Sequence, residues 1–319
     1  MEEMEVENRK DIRIICPNNG GIESVCFVGD HILYFMRRVQ ICPSPLWSSC
    51  AINSTHAALV SHSAALYVFS LEESAAVSNL TLGIDQRLFS VCSRKDIAVG
   101  AMDSVYVVKN NAVAHKLVVP RKEKRLPTIV WSCCFFNDVV LACGDSRGVV
   151  SFWNSQNGAL LNVASHQSEI LCLVLCEGRI HAAGVDPRII RNDFRIVQQR
   201  NGPMRDVRAM VYAAGEDHEI FVAKSGCQVL ATQNHYLTFR SSCVLEAHWQ
   251  CVEGTISWIF GRVEQASTQH LRSFNEILDG CGGVTQLAVS PCGRFVAVLT
   301  TRLQVFVIDI KTSKFFCEL

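Results

Sequence analysis

The chain is predicted to be an all-β, WD40-like β-propeller of about seven blades, possessing either one closed ring or one ring and the start of a second. Three observations predict it. Apolar runs of strand length, rich in Val, Ile, Phe and Cys, alternate with short polar breaks, and long helical periodicity is nearly absent. The runs group into units of three or four that recur at roughly 40 residues, the period of a propeller blade. Hydrophobic residues make up 49% of the 319 and charged residues 19%, far from the composition of a disordered chain.

The clearest unit runs from Ile129 to Val163: IVWSCCFF, VVLACG, the turn DSRG, VVSFWN, the turn SQNG and ALLNV. In a blade of this order the first strand lies nearest the central channel and Asp145 to Gly148 closes a tight hairpin. Phe152-Trp153-Asn154 stands where a WD repeat places its Trp-Asp pair, so Trp153, Phe152 and Trp131 are expected to be buried packing residues. Before it come GIESVCF with HILYF and RRVQIC, LWSSCAI with AALVS and ALYVFSLE, and RLFSVCS with DIAVGAMDSVYVV. After it come EILCLVLCEGRIHAAGV with RIIRNDF, a compressed DVRAMVY unit, YLTFRSSCVLEAHWQCV, and GVTQLAVSPCGRFVAVLTTRLQVFVIDIKT. Stacking such units buries apolar sheet faces that a lone sheet would expose. The expected division is an N-terminal tail over 1–20, propeller blades over 21–262, a linker over 263–280 and a further blade over 281–319 that closes the ring or begins a second.

Charge excludes one class of behaviour. Lys plus Arg number 30 and Asp plus Glu number 30, so no whole-molecule field steers the chain onto nucleic acid or an anionic membrane. The acidic start has no apolar leader core and no later run is long enough to span a bilayer, which predicts a soluble intracellular protein. Under that expectation most of the 16 cysteines, which include no C-x-x-C pair, are buried thiols rather than disulfides or zinc ligands.

Catalytic motifs are scarce. Gly144-Asp145-Ser146-Arg147-Gly148 fits G-x-S-x-G, but a nucleophile elbow needs a strand-to-helix turn, and the strand-like VVSFWN follows instead. Hairpin chemistry explains Asp145 and Gly148 without catalysis. No histidine pair has metal-ligand spacing, His166 precedes a first strand as a structural blade residue, and no phosphate loop or Rossmann fingerprint occurs. No catalytic residue, cofactor, metal or small-molecule substrate is therefore expected. The one dense basic cluster is Arg121, Lys122, Lys124 and Arg125 (around Glu123), set between Pro120 and Pro127. It reads as a solvated loop suited to nuclear targeting or to contact with RNA phosphate or an acidic partner.

The order of TIVWSCCFFND, DSRGVVSFWNSQNGALL, Asp206-Val207-Arg208 and SPCGRFVAV resembles the cirhin family, WD-repeat subunits of the transcription-linked U3 protein group of the small-subunit processome. That resemblance extends to the basic loop ahead of the IVW strand and to the Ser-Pro-Cys-Gly turn. It implies a nucleolar scaffold in small ribosomal subunit biogenesis, partnered by other processome proteins, WD-repeat subunits among them, and by pre-rRNA ribonucleoprotein through local contacts. It carries over no catalytic residue. Two other readings are a WD-repeat adaptor of another complex, such as a ubiquitin-ligase substrate receptor, and a serine hydrolase using Ser146.

Overall fold

In the computed structural model the described residues are 22–29, 31–36, 44–83, 87–165, 168–176, 178–185, 190–192, 207–214, 219–224, 228–233, 272–273, 284–302, 304–312 and 314–318. Their regular structure is entirely antiparallel strand, arranged as a β-propeller. The first sheet pairs β1 (Ile22–Val28) with β2 (His31–Met36). Next come β3 (Leu46–Ala51), β4 (His56–Ser61), β5 (Ala65–Ser70) and β6 (Ala75–Thr81), then β7 (Leu88–Ser93), β8 (Ile97–Ala101), β9 (Ser104–Lys109) and β10 (Ala112–Val118). A third four-stranded sheet holds β11 (Val130–Phe135), β12 (Val140–Asp145), β13 (Val149–Asn154) and β14 (Leu160–Ser165), followed by β15 (Ile170–Cys176), β16 (Arg179–Gly184) and β17 (Ile190–Asn192). The last two are β18 (Val207–Ala213), β19 (Glu219–Lys224), β20 (Gln228–Gln233), β21 (Arg272–Ser273), and β22 (Val284–Val289), β23 (Phe295–Thr300), β24 (Val305–Asp309), β25 (Lys314–Glu318).

The first strand of each sheet is the inner one. β3 lies against β7, β7 against β11, β11 against β15, β15 against β18, β18 against β22, and β1 touches both β3 and β22. Each inner strand also carries a register shift at the same place. Pairing skips the second residue, between Ile22 and Ser24, Leu46 and Ser48, Leu88 and Ser90, Val130 and Ser132, Ile170 and Cys172, Val207 and Ala209, and Val284 and Gln286. A bulge of this kind bends the strand and re-aims the unpaired side chain.

Period-two alternation then assigns each strand residue to one neighbouring sheet or the other. On β12, Leu141 and Cys143 pack with Val107, Leu117 and Trp153 towards β7–β10, while Ala142 joins Phe152, Ile170 and Ile180 towards β15. On β23, Val296 and Val298 face Ala209 and Ala213, whereas Phe295, Ala297 and Leu299 face Val25 and Phe27 of β1. The other side of β1, Cys26 and Val28, packs on Leu46, Leu59 and Tyr67. The first and last sheets are thus in contact through the same kind of apolar layer that joins sequence neighbours.

Polar side chains at the third inner-strand residue bridge adjacent sheets just inside the bulge. Leu173 N donates to Ser132 Oγ at 3.0 Å, and Val25 N donates to Gln286 Oε1 at 3.1 Å. Both donors are the fourth residue of the next inner strand, so Gln286 joins the last sheet to the first as Ser132 joins β11 to β15. Ser24 Oγ lies 2.6 Å from Ser49 Oγ, and Ser90 Oγ donates to the carbonyl of Val130 at 3.2 Å. These bonds satisfy groups that the channel wall would otherwise bury unpaired.

Two residues further along, Ser24-Val25-Cys26, Ser48-Ser49-Cys50, Ser90-Val91-Cys92 and Ser132-Cys133-Cys134 repeat one pattern. Part of the cysteine usage follows from this: a small, weakly polar thiol recurs at the same inner-strand position in four successive sheets. Burial pushes the Cys26 and Cys134 thiols up to about 12, and raises those of Cys50, Cys92, Cys143 and Cys172 as well.

Side chains of the β11–β14 sheet hold its hairpin and its packing. Asp145 is buried, its Oδ1 accepting from Arg147 N at 2.8 Å and its Oδ2 from Arg147 Nη2 at 2.6 Å. Gly148 closes the turn at φ 80°, a conformation costly for any residue with a Cβ. A Cβ on Gly144 would run into the side chain of Ile170 on the next sheet, so this glycine serves close approach. Phe152 is fully buried, and Trp153 is buried with its Nε1 donating to Ser151 Oγ at 2.9 Å.

Three expectations are corrected. Trp131 is not a core residue: it is the bulged second residue of β11 and lines the channel. Within the 263–280 stretch read as linker, Arg272–Ser273 is a strand that pairs with Ala231 and Leu230. DVRAMVY is β18 of that same sheet, so the compressed sixth unit is extended by β19 to β21. The RRVQIC and YLTFRSSCVLEAHWQCV segments and His166 lie outside the described residues.

Truncating Trp153 to Ala should lower stability by about 3–5 kcal/mol through the cavity left between two sheets, measured by urea unfolding. The raised thiols give a pH test. Their protonated form is favoured in the folded chain, so this contribution is complete below the unfolded thiol value of about 8.5 and is lost as pH rises towards 12. Stability should fall by up to about 1.4 kcal/mol per pH unit for each such thiol, so urea midpoints at pH 7.5 and 10 should differ. In the native protein at neutral pH, exposed Cys292 should label well before Cys133, Cys143 and Cys172.

Candidate binding face at the channel mouth

The inner strands all begin at one end of the channel, and there the bulges open a cavity of about 780 Å³. That volume is within the usual range of ligand sites. Successive second residues line it: Trp47, Phe89, Trp131, Leu171, Arg208 and Thr285. The first three form a continuous aromatic arc across three sheets. Trp47 meets Phe89 edge to face at 5.4 Å and 83°, and Phe89 meets Trp131 at 5.2 Å and 72°. His62, from the turn after β4, stacks on Trp47 at 5.8 Å. Edge-to-face contact is the arrangement that ring quadrupoles favour.

Two charges border the arc. Trp131 Nε1 donates to Glu169 Oε2 at 3.0 Å, which holds the indole by its polar edge. Arg208, at the matching place on β18, is exposed and also lines the cavity. Trp47 is 45% exposed while Phe89 is only 7% exposed, so the accessible aromatic surface belongs mainly to the tryptophans.

The basic loop lies at the same end, because it links β10 to the start of β11. Asp103 is the post on which it hangs. This residue has φ 55°, donates its N–H to the Thr128 carbonyl at 2.7 Å and accepts Val119 N on its own carbonyl at 2.9 Å. Its Oδ1 accepts from Thr128 N at 2.8 Å, and its Oδ2 takes Arg121 Nε at 2.9 Å and Nη2 at 2.6 Å. Arg121 Nη1 also donates to the Lys124 carbonyl at 3.1 Å. Arg121 is therefore a structural cation of the loop. Lys122, Lys124 and Arg125 are exposed and have no ion pair among the described residues, where Glu123 is the one acid beside them.

Ser146 also sits at this end but is built into the backbone. Its N–H donates to the Ile129 carbonyl at 2.9 Å, and its Oγ accepts from Ile129 N at 3.0 Å. It caps the entry to β11 on a hairpin between two antiparallel strands, a setting without the strand-to-helix lift of a nucleophile elbow. Among the described residues no group of three His, Cys, Asp or Glu side chains is placed to hold a metal.

Sequence reading singled out the loop, took Trp131 for a core residue, and missed Trp47, Phe89, Glu169 and Arg208 as neighbours. The signal was present in LWSS, LFSV and VWSC, whose second residues are all aromatic. Period-two reading treats such residues as sheet-face positions, and only the bulge gathers them around one opening.

No protein-family profile matches the chain. A stretch of 75 residues is 39% identical to the human U3 small nucleolar RNA-associated protein 4 homolog, covering 22% of this chain and 11% of that protein. The match thus spans a small part of either molecule. Over that stretch the chain is similar to a protein named for its association with the U3 small nucleolar RNA.

Proposed function

We propose that this chain is a non-catalytic WD-repeat scaffold of nucleolar small-subunit ribosome biogenesis, supporting pre-rRNA transcription and early processing within the small-subunit processome. The observation that carries the reading is the 39% identity over 75 residues to a U3-associated human protein, on a chain that folds as a propeller. The ordered resemblance to the cirhin family points the same way. The partners are other processome proteins, WD-repeat subunits among them, and the pre-rRNA particle, at a nucleolar location.

In this reading the propeller is a ring of seven blades, with 281–319 as the closing blade rather than the start of a second ring. Val25 and Phe27 packed on Phe295, Ala297 and Leu299, and the bond from Val25 N to Gln286, support closure. Arg121 shapes the basic loop, and Lys122, Lys124 and Arg125 make its outward contact with phosphate or an acidic partner. The same cations serve nuclear import.

Affinity purification should recover pre-ribosomal proteins and U3-containing RNA, and depletion should leave the small-subunit rRNA precursor uncut at its 5′ end while large-subunit rRNA matures. Recovery of cullin adaptors instead, with normal processing, would overturn the reading in favour of a ubiquitin-ligase receptor. Ser146 should not react with a fluorophosphonate probe, and Ser146→Ala should cost only about 0.5–1.5 kcal/mol of stability for its lost backbone bond.

A further inference from the structure

We infer that the channel mouth is a single-stranded RNA site, in which bases stack on the Trp47–Phe89–Trp131 arc while the backbone runs to Lys122, Lys124 and Arg125. The inference rests on the ribosome-biogenesis reading for its biological setting and on the geometry of this face for its chemistry.

Aromatic rings beside unpaired cations are what a single strand uses. Every base has a π-face that stacks without sequence demand, and lysine and arginine take its phosphates. Trp47 presents nearly half its surface to solvent, in an arc that borders a cavity of about 780 Å³. A wholly structural aromatic at this position would be covered, as Phe89 is. Arg125 stands six residues ahead of Trp131, so the loop is tethered within about 21 Å of the arc even if that chain were fully extended. Asp103 holds the loop at this end of the channel with four hydrogen bonds between its carboxylate and backbone N–H on one side and Arg121 and Thr128 on the other.

Glu169 fits the same ligand. Its Oε2 fixes the Trp131 indole, and Oε1, with no hydrogen bond among the described residues, can accept from an exocyclic amino group of a stacked base, the contact that carboxylates make to cytosine. A basic peptide is the competing occupant, because aromatic rings with a carboxylate also suit a cation. It is disfavoured by Lys122, Lys124, Arg125 and Arg208, which stand at the same mouth and would repel it. An acidic peptide would satisfy the cations and leave the arc without a role.

The test uses the full chain, a fluorescent 12-mer of oligo(U) or oligo(A) RNA, and anisotropy over a range of salt concentrations. RNA should bind and quench tryptophan fluorescence. Trp47→Ala should weaken binding by on the order of tenfold without changing the salt dependence, and Trp47→Phe should retain most of it. Replacing Lys122, Lys124 and Arg125 with Ala should instead flatten the log–log salt slope by roughly 2, at about 0.7 per phosphate contact on a single strand. Trp47→Ala binding RNA like the wild type, with its urea midpoint unchanged, would overturn the site. So would absence of RNA binding, whether or not a polylysine or polyglutamate peptide binds in its place. Co-purification of pre-ribosomal particles with a chain whose Trp47→Ala variant binds RNA normally would sink this site and leave the scaffold reading standing. RNA binding that depends on Trp47, in a chain that recovers no such particles, would do the reverse.

Discussion

One unpaired residue at the second position of each inner strand is the constraint on which the rest of the molecule depends. A strand without it would carry its alternation unbroken to the channel mouth. With it, the first residue, Leu46, Leu88, Val130 or Ile170, is buried between sheets while the second turns into the opening. The bend also brings the third residue to the neighbouring strand, where Ser132 and Gln286 accept backbone N–H groups from the next sheet. One local irregularity therefore sets the lining of the mouth and the polar joints between blades.

The core between those joints is crowded and nearly free of charge. Alternate faces of each middle strand serve different neighbours, so a side chain such as Ala142 or Ala297, with no exposure at all, is limited by the sheet it faces. Thiols suit such places because they are small and accept burial in the neutral state. Their raised ionisation expresses the same low-polarity surroundings that favour them for packing. The Cys133 and Cys143 sulfurs, 3.9 Å apart on paired strands, are part of this packing.

At the surface the arrangement reverses, with charge organised by a single carboxylate. Asp103 adopts a left-handed backbone and engages Arg121 and Thr128 together, converting a Pro-flanked segment into a closed loop. The exposed Arg121–Asp103 pair is worth little by itself. Its effect is positional, since it holds the remaining cations at the end of the channel where the aromatic arc lies. Charge at this face is thus concentrated locally, in a chain whose formal net charge is zero.

Much of this was legible in the sequence because it is local. Strand-length apolar runs, the DSRG hairpin and the buried Trp153 follow from alternation, turn chemistry and side-chain size, all of which act over a few residues. The basic loop was legible for the same reason, as five consecutive charged residues between two prolines. Trp131 was misread because nothing in VWSC marks a bulge: the shift is defined by pairing with β12, and it moves the ring from core to channel. The contact of β1 with β22, the gathering of Trp47, Phe89 and Trp131 from positions some 40 residues apart, and the division of Arg121 from its three neighbouring cations were likewise absent from any local pattern. Alternation and turn chemistry alone specify a stack of small antiparallel sheets with thiol-rich faces. Which residues share an opening depends on strand register and on the curvature of the stack, because these place side chains that are distant in the chain within contact of one another.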